Sequence, residues 1–289
     1  MAYYKISSYS LDDVVAGDKI RFNTNNHGNA PPDYYDILGK STTKNWIDVF
    51  HSSYIVINIP REEISWLTTA AQIGMQTGEY PEMFREELDD FLFRFADWNK
   101  YFTNGRKYFV RGESASLKCG KYGAGPYTSL EQIMISLATC LPKHTPLSST
   151  RSSEKNLKLY LLPWMEMDAN LEFRVFICGR RITSISQQHI YQPNTLLARL
   201  SLEDRNALII KWVAKIEEFY ERNIKDQITN LENYTMDMVL VGGDGIVPYF
   251  IEINSFGKEY AAGSALFHWI NDEEVLYGRS DVKEFRYVV

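Results

Sequence analysis

Apolar and polar positions alternate most clearly between Tyr234 and Asn254. Met236, Met238 and Leu240 alternate with Thr235 and Asp237, and Ile251 and Ile253 alternate with Phe250, Glu252 and Asn254. This period of two predicts a hairpin, Tyr234–Val241 joined to Gly245–Asn254 through Gly243-Asp244. A second hairpin is predicted from Leu171–Cys178 and Arg181–Gln188 around Gly179-Arg180, where glycine at the first central position suits a type II′ turn. The runs Tyr54–Ile59, Tyr108–Arg111 and Leu157–Leu162 read as short strands, the first closed by Pro60 and the last by Pro163-Trp164. Apolar spacings of three and four predict helices over 81–100, 129–137 and about 202–223. Residues 16–42, rich in Asn, Gly, Asp and Pro, and the polar stretch 143–156 read as loops. The order strand, helix, strand, hairpin, helix, hairpin is that of a mixed α/β or α+β chain.

The Tyr234–Asn254 hairpin also carries candidate chemistry. Centred on Gly243-Asp244, it places Asp237 opposite Phe250, so Asp237, Phe250, Glu252 and Asn254 share one face. Met236, Met238, Leu240, Ile251 and Ile253 pack on the other. Glu252 is then diagonal to Asp237, roughly 7 Å away at the backbone, a gap that side chains can close onto one ion. Two carboxylates and an amide oxygen are hard donors of the kind that Mg²⁺ takes. A solvated hairpin face is the plainer alternative. Asp, Glu and Asn are poor strand formers, however, and here they interrupt strongly apolar strands.

In the Leu171–Cys178 strand, Glu172, Arg174 and Phe176 share a face. Arg174 is a lone cation that would pair either with Glu172 or, through its planar fork, with a phosphate. Residues 111–126 form a Gly/Ser-rich loop of the sort that can cradle phosphates with backbone N–H groups, although a flexible surface loop fits as well. The loop is neither a Walker nor a Rossmann element. No HExxH or GxSxG motif occurs. The five histidines, His27, His51, His144, His189 and His268, are scattered.

Composition narrows the class. Of the 289 residues, 45% are hydrophobic and 14% aromatic, which is too much apolar surface to leave solvated in a disordered chain. A net charge of −6 argues against wholesale binding to nucleic acid or anionic membrane. Cys119, Cys140 and Cys178 are odd in number, far apart and form no CxxC pair, which fits a reducing compartment and argues against a disulfide framework or a thiolate zinc site. The start has no apolar signal region, and no stretch approaches the ~18 apolar residues of a membrane helix, so a cytoplasmic protein is expected. The Asn233-Tyr234-Thr235 sequon is then coincidental.

Five segments, in order, resemble the cell division cycle protein 123 family, a branch of the ATP-grasp superfamily. They are Leu161-Leu-Pro-Trp164, Glu172-Phe-Arg-Val-Phe-Ile177, Ile185-Ser-Gln187, Phe250-Ile-Glu-Ile-Asn-Ser-Phe-Gly257 and Leu266-Phe-His-Trp269. Order and spacing match over about residues 105–270. The resemblance implies an α+β ATP-grasp fold with Mg-ATP clamped between two subdomains. It implies a subdomain over 105–164 ending in the adenine hinge and a subdomain over 165–289 carrying the metal site; residues 1–104, which the resemblance does not cover, are expected to form an N-terminal region of helices and a short strand packing on the core. Asp237, Glu252 and Asn254 match the metal ligands, and Arg174 the phosphate-contacting arginine. Arg111 stands near a strand lysine of the family, and Lys118 near a second basic residue. The backbone of Leu161, Leu162, Pro163 and Trp164 matches the hinge. Two departures concern the metal site: Asn254-Ser255-Phe256 stands for Asn-Pro-Phe, and Glu252 for a usual Asp.

The resemblance further implies an ATP-dependent assembly factor. Such family members help assemble eukaryotic translation initiation factor 2 by binding its gamma subunit. The acidic balance agrees with a basic protein partner in place of nucleic acid. The alternative is an ATP-grasp ligase that activates a carboxylate as an acyl phosphate for attack by an amine or similar nucleophile. Arg180, Arg181, Gln187, Gln188 and Lys258 are its acceptor-side candidates, although they form no recognised motif. A nucleotide-binding protein of another purpose, such as a nucleic-acid ligase or an effector acting on a host, is a third reading.

Overall fold

The computed structural model describes residues 4–25, 28–142, 144–147, 156–242 and 247–289. Strands are β1 (Tyr4–Tyr9), β2 (Ile55–Ile59), β3 (Tyr108–Arg111), β4 (Leu157–Pro163), β5 (Glu172–Cys178), β6 (Arg181–Gln187), β7 (Tyr234–Val241), β8 (Val247–Ser255) and β9 (Lys283–Val288). The chain is α+β and divides into two compact units, residues 47–166 and residues 1–46 with 167–289. The N-terminal region expected over 1–104 is therefore split near Trp46. Its first part, β1, extends the sheet of the C-terminal unit, while β2 pairs with β4. No helix among the described residues is long and apolar enough to cross a membrane.

The unit 47–166 is built on an antiparallel sheet with β4 between β2 and β3. Ser129 caps the helix Leu130–Thr139 by accepting from the Gln132 N–H. Ile133, Met134, Leu137 and Ala138 of that helix are buried, among Leu67, Leu88, Phe91, Leu159 and Leu161. The helix Arg61–Thr77 packs against it. That approach requires a residue without a side chain: a Cβ on Gly74 would stand 2.4 Å from the Ala138 carbonyl oxygen. The helix expected over 81–100 is interrupted. A turn at Glu82–Phe84 and the helix Arg85–Arg94 are followed by a further turn at Ala96–Gly105, because Phe95 leaves helical geometry at φ −105°, ψ 25°.

The other unit holds a six-stranded sheet in the order β1-β9-β6-β5-β7-β8. β9 runs parallel to both β1 and β6, and the remaining pairs are antiparallel. The helix Leu202–Phe219, capped by Ser201, covers one face and brings Trp212 to 5.6 Å from Phe173. Phe267 and Trp269 cover the other, edge-on to Phe176 at 5.2 and 5.6 Å. Strand alternation puts Arg174 on the Phe176 side.

The β5–β6 turn differs from the expected type II′. Gly179 and Arg180 both take positive φ, +55° and +56°, as a type I′ turn requires. Outside contacts secure the left-handed arginine. The Gly179 N–H donates to Asn233 Oδ1, the Arg180 N–H to the Glu232 carbonyl, and the Arg180 guanidinium to the Lys225 carbonyl. The Gly243-Asp244 turn expected in the other hairpin lies outside the described residues.

Candidate functional site

Three neighbouring strands bring the polar side chains together. Arg174 on β5 stands opposite Asp237 on β7, and Asp237 stands opposite Glu252 on β8. The expected diagonal placement of Glu252 is corrected by a register shift beside Asp237. Met238 pairs with Phe250, so one extra residue, Ile251, bulges from β8. The bulge moves Phe250 off the polar face, and its ring meets Trp46 edge-on at 5.2 Å. Beyond it Thr235 pairs with Asn254, which keeps Asn254 on the face of Asp237 and Glu252.

Arg174 grips Asp237 as a fork. Nε donates to Oδ1 at 2.8 Å and Nη2 to Oδ2 at 2.7 Å, while Nη1 donates to the Gly263 carbonyl at 2.6 Å. Asp237 is 2% exposed. The pair is thus a buried, bidentate one, the strongest geometry for these groups. Gln188 and Asn254 also donate to Asp237 Oδ2, at 3.3 and 3.2 Å, and the Asn254 amide reaches Glu252 Oε1 at 3.4 Å. Glu172 does not pair with Arg174; it meets His189 Nε2 at 2.8 Å.

Burial raises the Asp237 carboxyl above the usual carboxylate range; Arg174 opposes that rise, and Glu252 and Glu172 add to it. Burial pulls the Arg174 guanidinium down, but the Asp237 carboxylate, helped by Glu252 and Glu172, holds it above its ordinary value.

Asp237 and Glu252 face each other as a cross-strand pair, so their side chains can converge on one ion. With Asn254 they make a hard-oxygen set that fits Mg²⁺. Among the described residues no three His, Cys, Asp or Glu side chains gather to hold a metal; beside the two carboxylates, Asn254 offers an amide as a further donor. In the structure this amide turns its N–H side to the carboxylates, and rotation about χ2 would present Oδ1 instead.

The remaining predicted residues lie in the unit 47–166. Arg111, on β3 opposite Tyr160, is buried, and its charge acts on His51. Lys118 is exposed on the following loop. Leu161 is paired on both sides, with Ile55 and Val110. Leu162 and Pro163 extend past β2 and are paired with β3 alone, and the Trp164 N–H donates to the Lys107 carbonyl. The β4 backbone thus runs beyond its β2 neighbour at the positions expected for the hinge. Gly263 was not predicted as part of the site. Its role is that of a backbone carbonyl, which no side-chain pattern signals.

The fold has solved counterparts. Cdc123 from Schizosaccharomyces pombe superposes with a TM-score of 0.61 at 15% identity, over 88% of this chain and 97% of that one. A C-terminally truncated Cdc123 from the same organism gives 0.59 at 16% identity, again over 88% and 97%. A RimK domain ATP-grasp protein from Sphaerobacter thermophilus is more distant, with a TM-score of 0.35 at 11% identity over 75% of this chain and 58% of that one. No curated protein matches the chain in sequence. The D123 family model matches residues 129–289, which include β5 to β9 and the Arg174–Asp237–Glu252–Asn254 face. With more than half of its length matched by that model, the chain belongs to the D123 family, that of Cdc123.

Proposed function

We propose that the chain binds ATP with a divalent cation at the Arg174–Asp237–Glu252–Asn254 face, and acts as an ATP-dependent assembly or binding factor for a protein similar to the gamma subunit of translation initiation factor 2. The observation that carries the nucleotide reading is the register of Arg174, Asp237 and Glu252 straight across three strands. It sets two carboxylates and a phosphate-binding type of fork side by side. Mg²⁺ would offset the repulsion between these carboxylates and a polyphosphate. Asp237 and Glu252 would ligate it, with Asn254 turned to offer Oδ1. Arg174 is then placed to leave Asp237 and direct its planar donors to a phosphate. Arg111, Lys118 and the backbone of Leu161–Trp164 are assigned phosphate and adenine contacts by the family resemblance. The protein-partner half of the proposal rests on family membership. Binding of purified translation initiation factor 2 gamma subunit, measured with and without Mg-ATP, tests it. Association that strengthens with Mg-ATP is expected, and no association in either condition contradicts it.

A further inference from the structure

The segment Asp18–Asn25 lies outside the region matched by the family model, yet it is bonded to both loops that flank the Arg174–Asp237 pair. The Asn23 N–H donates to the Ala265 carbonyl at 2.6 Å, and the Ser264 N–H donates to the Thr24 carbonyl at 3.1 Å. The buried Thr24 N–H donates to Ser264 Oγ at 2.9 Å, and the Trp269 N–H donates to Thr24 Oγ1 at 3.0 Å. On the other side, Asn23 Nδ2 donates to the Tyr191 hydroxyl at 2.8 Å, which in turn donates to Asp18 Oδ1 at 2.6 Å. Tyr191 belongs to the turn that carries Gln188 and His189, the partners of Asp237 and Glu172.

The tie closest to the site runs through Gly263. Its carbonyl receives Arg174 Nη1 at 2.6 Å, and a Cβ on it would stand 2.4 Å from Asn23 Oδ1. Asn23 therefore occupies the space that a side chain at 263 would need. Asn23 itself sits at φ +49°, a conformation that asparagine tolerates better than most residues.

We infer that Asn23 and Gly263 are positioning residues for Arg174. The N-terminal segment sets the carbonyl that holds the outer edge of the guanidinium, and so fixes where the fork points. The consequence for nucleotide affinity rests on the ATP reading above; the consequence for Arg174 does not.

The test uses the full chain and two readouts. The first is the Arg174 Nε–H signal in ¹H–¹⁵N spectra without nucleotide, assigned by its loss in Arg174→Lys. The second is Mg-ATP affinity by calorimetry. Asn23→Gly keeps the left-handed backbone and removes the wedge, while Gly263→Ala displaces the wedge. Each is expected to shift or broaden the Arg174 signal and to weaken Mg-ATP binding roughly five- to tenfold, below or near the loss of one charged hydrogen bond. The double variant is expected to be no worse than the worse single one, because alanine at 263 collides with Asn23 alone. An Arg174 signal unchanged in both single variants overturns the inference, as does a double variant whose effects multiply. If the unmodified chain shows no Mg²⁺-dependent ATP affinity while the Arg174 signal still responds, the nucleotide reading falls and the positioning role stands.

Discussion

Arg174 on β5 and Asp237 on β7 stand in direct register, and the guanidinium holds both carboxylate oxygens at 2.8 and 2.7 Å. The arginine read from sequence as a phosphate ligand and the aspartate read as a metal ligand are thus each other's partner. Each compensates the buried charge of the other. Removing one alone leaves the second uncompensated, at a cost of about 3–5 kcal/mol for a buried pair.

Asp237→Ala is therefore expected to lower stability by an amount of that order without any nucleotide present. Arg174→Lys keeps the charge but not the fork, and its loss should be smaller, about 1–3 kcal/mol. Denaturant melts of the apo proteins measure both. Apo stability unchanged in Asp237→Ala would show that the pair contributes nothing to the fold.

His51 gives the fold a pH dependence. Burial, helped by the positive charge of Arg111, lowers its pKa to about 4 from an ordinary 6.5. The unfolded chain takes up a proton below pH 6.5, whereas the folded chain resists until about 4. Stability is therefore fully present above pH 6.5 and declines as pH falls through that window, by on the order of 2–3 kcal/mol for this group. Replacing His51 with phenylalanine should flatten the pH 4–6.5 part of the stability profile. An equal slope in both proteins would assign it elsewhere.

Gly74→Ala tests the helix packing of the unit 47–166. Its Cβ would meet the backbone carbonyl of Ala138 at 2.4 Å, and a backbone atom cannot swing aside as a side chain can. The overpacking should cost about 1–3 kcal/mol, against the small gain that alanine gives in an open helix. A variant as stable as the parent would mean that the two helices can separate freely.

The sequence made the two hairpins and their polar faces readable, because period-two alternation survives in both. It did not reveal the β8 bulge, since one unpaired residue leaves the local pattern intact while moving Phe250 to the other side. Nor did it reveal the Arg174–Asp237 pair, whose strands are neighbours in the sheet but not in a hairpin. β9 escaped notice because Glu284 and Arg286 are buried in it, where a strand pattern leads one to expect apolar residues. Arg286 bonds to Asp272 and Glu284 at 2.7 and 2.9 Å, and these bonds make the burial tolerable. The N-terminal contribution was equally hidden. Residues 16–42 have loop composition, yet Tyr34–Lys40 form a helix, and Asn23 and Thr24 bond to the Ser264–Trp269 loop through backbone, hydroxyl and amide groups that leave no periodic trace.

If Asp237 and Glu252 hold a cation for ATP, nucleotide affinity depends on that cation and on Glu252. Calorimetry of ATP binding in Mg²⁺ and in excess chelator, run on the parent and on Glu252→Gln, measures both dependences. Affinity at least about tenfold tighter with Mg²⁺ is expected in the parent, equivalent to about 1.4 kcal/mol, with that difference lost in Glu252→Gln. Equal affinity with and without Mg²⁺ in the parent would contradict the cation role of Asp237 and Glu252.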